Sequence, residues 1–241
     1  MERLIEREIV AEARKRLAKH SQNAFYIHRY RQIYAKRTGK RAKKPAISTP
    51  KSWDFDKHFD PRYCINHARF LARGVWRSLQ NGEYHPRSAL RHEFPKADGG
   101  TRSIDAFSIP DAVVASIFIR NLRQRNAKIF SDSSFAYQEG KTPLDAVLKV
   151  RSILGAEKIF ISQYDFSKFF DNIHHQHIDA MLEKGSPFLT THMERQVIRS
   201  LLTHDYSLNG ITGTRSRGTP QGNSISLFVS NMAAHTLDVD L

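Results

Sequence analysis

The stretch YDFSKFFDNI, residues 164–173, closes an apolar run on an aspartate, sets two phenylalanines side by side and adds a second aspartate. The residues leading into it, KIFISQYDF (158–166), are β-formers and predict a strand that delivers Asp165 at its C-terminal end. A carboxylate just past a buried strand can reach a metal while its backbone stays fixed. Phosphoryl transfer between two clamped divalent ions needs that. One such Asp is weak evidence alone, because most cap a helix or solvate a turn.

Outward from this stretch, the chain reads as helices interrupted by two hairpins. On the N-terminal side, helices are predicted over 2–19, 22–37 and 62–81, with Ile65, Phe70, Val75, Trp76 and Leu79 as core candidates of the last. TGKRAKKPAISTPKS (38–52) reads as a basic linker with two prolines. A hairpin is expected around Asp98-Gly99-Gly100. Pro110-Asp111 opens a long helix over 111–130 with Val114, Ile117, Phe118 and Leu122 on one face, and another helix covers 143–154. On the C-terminal side, helices fit 175–184 and 191–203, a second hairpin turns at Asn209-Gly210, and GTPQG (218–222) leads into a helix from about Ser224. Mixed helices with a few short antiparallel strands give an α+β class.

The chain has 241 residues, 40% hydrophobic, enough for one large domain or two small ones with real cores. No run of 18 apolar residues is present, so nothing spans a membrane as a helix. MERLIEREIV lacks the apolar stretch of a secretory signal. The single cysteine, Cys64, fits a reducing compartment and reads as a small buried hydrophobe. A cytoplasmic protein is expected. Charge is uneven: residues 1–53 hold 15 Lys+Arg against 4 Glu, while residues 54–241 hold 23 against 20 Asp+Glu. A basic extension (1–53) ahead of a nearly neutral body (54–241) points to a polyanion partner, nucleic acid above all. Phe25, Tyr26, Tyr30 and Tyr34 among the bases suit stacking on bases or packing on the body. His174, His175 and His177 complete no zinc pattern, and WDFDKHFD (53–60) lacks the spacing of a calcium loop.

Three segments in order, residues 99–147, YDFSKFFDNI and GTPQGNSISLFVSN (218–231), resemble the successive fingers and palm motifs of reverse transcriptases. The likeness is to bacterial lineages related to group II intron and retron enzymes and covers roughly residues 90–241. It implies an RNA-directed DNA polymerase of right-hand architecture that copies an RNA template into DNA from deoxynucleoside triphosphates with Mg²⁺. By the same resemblance, Asp165 is the first catalytic carboxylate and the Phe166 carbonyl a further metal ligand. Phe170, five positions on, is the aromatic gate that excludes a 2′-hydroxyl, with core packing beside Phe169 as its other reading. Asp171 reads as a turn residue. Arg102 is the arginine laid on the incoming triphosphate, with Lys96 on the other limb of the hairpin a second cation there. Gln221 contacts the incoming nucleotide from a turn shaped by Pro220 and Gly222.

The family completes its metal site with a Tyr-x-Asp-Asp hairpin after the helix beginning near Ser224. The sequence reaches Leu241 without an adjacent Asp-Asp pair. The expectation is therefore fingers and the first part of a palm: a fragment, or one part of a split enzyme whose other chain or segment carries Tyr-x-Asp-Asp and the thumb. A non-catalytic, basic RNA-binding protein on the same fold is the alternative. The ending SLFVSNMAAHTLD resembles retron-type and defence-associated enzymes, which implies a place in antiviral defence.

Overall fold

The computed structural model describes residues 1–42, 48–97, 99–154 and 161–240. The chain forms two compact units, Met1–Ser78 with Ser108–Val114, and Leu79–Phe107 with Ala115–Leu241.

The first unit opens with α1 (Glu2–Thr38), one helix where the sequence predicts two. HSQNA (20–24) contains neither Gly nor Pro, so nothing interrupts the hydrogen-bond ladder there. The helix stops at Gly39, whose positive φ of 63° lets its N–H reach the Ala35 carbonyl at 2.9 Å. Next come α2 (Lys51–Phe55), a 3-10 turn (Lys57–Phe59), α3 (Pro61–Asn66) and α4 (Ala68–Asn81). Residues 43–47 of the expected linker lie outside the described residues. The first third of α1 packs against α3 and buries Ile5, Ile9 and Ala13, and further along the His20 ring lies 5.1 Å from that of Trp53. Beyond that, Phe25, Tyr26 and Tyr30 are exposed among the bases.

The acids of WDFDKHFD serve largely as caps. Asp56 accepts the His58 N–H at 2.7 Å, and Asp60 accepts the Arg62 N–H at 2.9 Å ahead of Pro61. Cys64 is buried as expected, and burial pushes its thiol up to about 12. The helix expected over 62–81 is broken at His67. Ala68, Leu71, Ala72 and Leu79 line the inner face of α4. Phe70, expected in the core, is 72% exposed because it falls on the opposite side of that helix.

The second unit is built on β1 (Ala89–Pro95) and β2 (Thr101–Ala106), followed by α5 (Ile109–Asn126), which belongs to it from Ala115 on, α6 (Pro143–Leu154), α7 (Phe169–Asn172), α8 (His175–Leu182) and α9 (His192–Leu202). It ends with β3 (Asp205–Leu208), β4 (Ile211–Thr214) and α10 (Ser224–Asp240). Both expected hairpins form. The first pairs Pro95 with Thr101 through Leu90 with Ala106, and the second turns on Asn209 and Gly210 at φ 51° and 86°. The sheet is mixed, not purely antiparallel as the sequence suggests. Its order is β2-β1-β3-β4, and the two hairpins join through a short parallel pair, Ala89 with Tyr206 and Leu90 with Ser207.

Apolar faces of the helices supply the core, with Leu122, Ile178, Leu182, Ile198, Leu201, Ile225 and Met232 fully buried. Thr191 and Glu194 close a capping box at the start of α9. Helix α5 is there as predicted, but it ends at Asn126, whose side chain bonds the Leu189 backbone in both directions at 3.1 and 2.7 Å.

One expected element is not found. Residues 161–166 of the predicted strand are irregular and exposed, and residues 158–160 lie outside the described residues. No described strand pairs with 161–166, and β-forming side chains without a neighbour to complete the ladder do not make a strand. Asp165 thus stands on an exposed irregular segment, not at a strand end.

Candidate nucleotide-binding site

GTPQG decides the local geometry, because two distant segments, residues 170–175 and β2, meet on it. Gly218 donates its N–H to the Ile173 carbonyl and Thr219 donates to the Phe170 carbonyl, both at 2.8 Å. His175 donates from its ring to the Gly218 carbonyl at 2.8 Å. On the other flank, the Asp105 N–H of β2 donates to the Gln221 carbonyl at 2.7 Å. The two glycines are required by this closeness. A Cβ at Gly218 (φ 74°) would lie 2.6 Å from the Phe170 carbonyl oxygen, and one at Gly222 (φ 110°) 2.8 Å from that of Asp105. The turn is wedged between the FFDN helix and the outer strand of the sheet.

Arg102 and Gln221, 119 positions apart, are brought together: the arginine Nε donates to the glutamine Oε1 at 2.7 Å. Both side chains face solvent to some degree, and Nε is the donor used. The two Nη groups of the guanidinium stay available for a bidentate anion. Lys96 does not join them. Its main chain closes the hairpin, N–H to the Gly100 carbonyl at 2.7 Å, and its side chain is exposed at the tip.

Phe170 sits in a chain of rings. It meets Phe169 at 5.9 Å and Tyr137 at 6.4 Å, both edge-on, and Phe169 stacks on Phe166 at 5.2 Å. Tyr137 holds φ 57°, a left-handed backbone that a non-glycine residue adopts at a cost. Phe166 and Phe169 also line a cavity of about 250 Å³ with Ile173, His177 and Ala233. Asp171 closes its turn through its N–H, bonded to the Lys168 carbonyl at 3.0 Å. The three histidines act as braces: beside His175, His177 donates to the Ala233 carbonyl at 3.0 Å, and His174 accepts from Arg217 at 3.1 Å.

Asp165 is exposed, and among the described residues no three His, Cys, Asp or Glu side chains converge as a metal site. A hard divalent cation wants about six oxygens. Asp165 and the Phe166 carbonyl fit as part of such a shell, and the described residues do not complete it.

Behind the site lies a charged cluster that sequence reading misses. Asp105 is fully buried. Its carboxylate accepts from Arg91 Nε and Nη2 at 2.6 and 2.9 Å, from Arg215 at 2.9 Å and from His204 at 3.2 Å. Burial alone would raise this carboxyl, but the hydrogen bonds from His204, Arg91 and Arg215 hold it well below the usual carboxylate range. The Arg91 guanidinium lies over the Tyr206 ring, 3.2 Å from its centroid. The partners come from positions 91, 204 and 215, so no local pattern announces the cluster. The one available signal is an acid set between Ile104 and Ala106 near the end of a strand.

A family model described as reverse transcriptase (RNA-dependent DNA polymerase) matches residues 94–241. An uncharacterized 91 kDa protein in the cob intron of Schizosaccharomyces pombe (strain 972 / ATCC 24843) is 26% identical over 167 residues, covering 68% of this chain and 20% of that protein. Two solved structures, a partial Cas6-RT-Cas1–Cas2 complex and a Cas6-RT-Cas1–Cas2 complex, each align over 99% of this chain at 16% identity and a TM-score of 0.47. They are covered over 34% and 21% of their own chains. The chain thus spans about a fifth of the curated relative and a third or less of the chains in those structures.

Proposed function

Because the chain belongs to the reverse transcriptase (RNA-dependent DNA polymerase) family, we propose that residues 90–241 bind the incoming deoxynucleoside triphosphate for RNA-templated DNA synthesis. The observation that carries this reading is the 2.7 Å bond between Arg102 and Gln221. It joins the hairpin arginine to the GTPQG turn beside Phe170, so groups suited to a triphosphate, a base and a sugar come from one locality. Arg102, held through Nε, offers its Nη pair to phosphate oxygens. Gln221 borders the base. The half-buried Phe170 ring, braced by Tyr137 and Phe169, lies under the sugar and rejects a 2′-hydroxyl by clash. Lys96, exposed at the end of a hairpin limb, adds charge when the hairpin leans over the phosphates. Asp165 and the Phe166 carbonyl would contribute oxygens to Mg²⁺, which when bound offsets charge on the phosphates and the attacking oxygen. The remaining carboxylates, from a Tyr-x-Asp-Asp segment, complete that shell. Residues 1–53 hold the template RNA through the bases and rings of α1, in the cytoplasm.

The test uses the full-length protein on a primed RNA template. Arg102→Ala should raise the KM for deoxynucleotides at least about tenfold, and Arg102→Lys should recover only part of it, since an ammonium cannot reproduce the guanidinium fork. Asp165→Asn should abolish incorporation. Polymerisation that survives Asp165→Asn, or an unchanged KM in Arg102→Ala, would overturn the reading. RNA binding without any incorporation by the wild type would favour a non-catalytic binder on this fold.

A further inference from the structure

The buried cluster around Asp105 has no place in the scheme above, yet it lies directly behind the turn that carries Gln221. The side chain and the main chain of Asp105 do different things. The side chain is fastened to three places in the second unit: Arg91 on β1, His204 just before β3 and Arg215 just after β4. The main chain holds the GTPQG turn. Its N–H donates to the Gln221 carbonyl, and its carbonyl oxygen occupies the space a Cβ on Gly222 would need.

The position of β2 makes this possible. Among the described residues it is an outer strand, paired with β1 alone, and Asp105 lies opposite Arg91 in that ladder. The free edge of an outer strand has N–H groups to satisfy. Here the edge is covered by Gln221, at the residue whose carboxylate cannot move. On the same strand, Arg102 reaches the Gln221 side chain. Gln221 is therefore held twice from β2, by its backbone at Asp105 and by its amide at Arg102.

Stability alone is a poor reason for such a cluster. Taking a carboxylate and two guanidiniums out of water costs energy that their attraction repays only with good geometry, and apolar side chains of similar volume often do as well. What a buried carboxylate bonded from three sides adds is a fixed position. We propose that Asp105 is a positioning residue, which sets Gln221, and with it the orientation of Arg102, for the incoming nucleotide. This rests on the nucleotide-site reading of Arg102 and Gln221. Asp105 touches no substrate. It acts through the turn.

The experiment compares Asp105→Asn with wild type in the full-length protein, measuring deoxynucleotide kinetics and amide hydrogen exchange together. Expected are a rise of about tenfold in KM with kcat changed less than about twofold, since ground-state positioning is lost while the reacting groups remain. The residue 105 amide and the 218–223 segment should exchange faster, with helix α9 unchanged. A purely structural role would lower the active fraction, and so kcat, at constant KM, and would loosen α9 as well; that result overturns the proposal. If Asp105→Asn does not fold, Arg215→Ala carries the same test, because it removes one donor and leaves Arg91 and His204 in place. The two readings fail separately. An unchanged KM in Arg102→Ala sinks the nucleotide site. A raised KM in Arg102→Ala beside an unchanged KM and unchanged exchange in Asp105→Asn sinks the positioning role alone.

Discussion

Phe170 stands between two other rings, with Tyr137 and Phe169 both edge-on to it, so its own ring has little freedom to swing aside. A stiff ring makes a sharp gate. Phe170→Ala should keep deoxynucleotide incorporation and raise ribonucleotide incorporation at least tenfold, about 1.4 kcal/mol of lost discrimination. Competition between the two nucleotides on one template checks it, and an unchanged ratio returns Phe170 to core packing. Asp105 makes a different residue-scale prediction, through pH. Its carboxyl is held below the ordinary range when folded. Such a group stabilises the fold fully above its unfolded value, about 3.9, and that contribution is lost as pH falls through the folded value. The difference in urea midpoint between wild type and Asp105→Asn should stay flat from pH 8 to about pH 5 and narrow below about pH 4. A gap that stayed constant down to about pH 2 would mean that the Asp105 carboxylate contributes nothing to the folded state. Arg102 and Gln221 are each singled out by the family likeness, but their contact is seen only in the structure. Asp105 is not singled out, because three of its contacts come from residues 14, 99 and 110 positions away.

Elements were legible where local chemistry fixes them. Asn209-Gly210 can take two positive φ values in succession, Gly39 can end a helix, and Thr191 with Glu194 can start one. The strand expected over 158–166 depends on a partner that the stretch itself does not name, and its described part is not a strand. Helix α1 runs unbroken through Ser21 and Asn23, because weak propensity is not a stop. Two glycines make opposite predictions at this scale. Gly74 lies inside α4 with no atom within 4 Å of an added Cβ, so Gly74→Ala should stabilise the protein by about 0.5–1 kcal/mol. Gly218, with its positive φ and the Phe170 carbonyl 2.6 Å from an added Cβ, should cost about 1–3 kcal/mol when changed to Ala. Denaturant midpoints read both, and equal effects would mean the turn relaxes freely.

For the whole molecule, charge is the organising quantity. From Ala13 to Trp53 there is no acidic residue, and most of that stretch is the outer part of α1, where Tyr30 and Tyr34 stack at 6.1 Å. Removing residues 1–50 is a poor test of this surface, because Ile5, Ile9 and Ala13 are core. Changing the exposed Arg29, Lys36 and Arg37 to Ala leaves the anchor intact. Each lost contact to single-stranded RNA should flatten the slope of log affinity against log salt by about 0.7, so about two units for the three. An unaltered slope would make the helix an ordinary solvated face. The same helix has a kinetic consequence. If residues 1–53 hold RNA as proposed, that RNA is on the same polypeptide as Arg102 and Gln221 and would meet them at an effective concentration set by the connecting chain, not by the solution. Arm-bound template should therefore dissociate and be recaptured many times before it escapes. The neutralised variant should show shorter products per binding event at unchanged nucleotide KM. On the proposed reading, the basic helix would govern how long a template stays, and the wedged turn what is added to it.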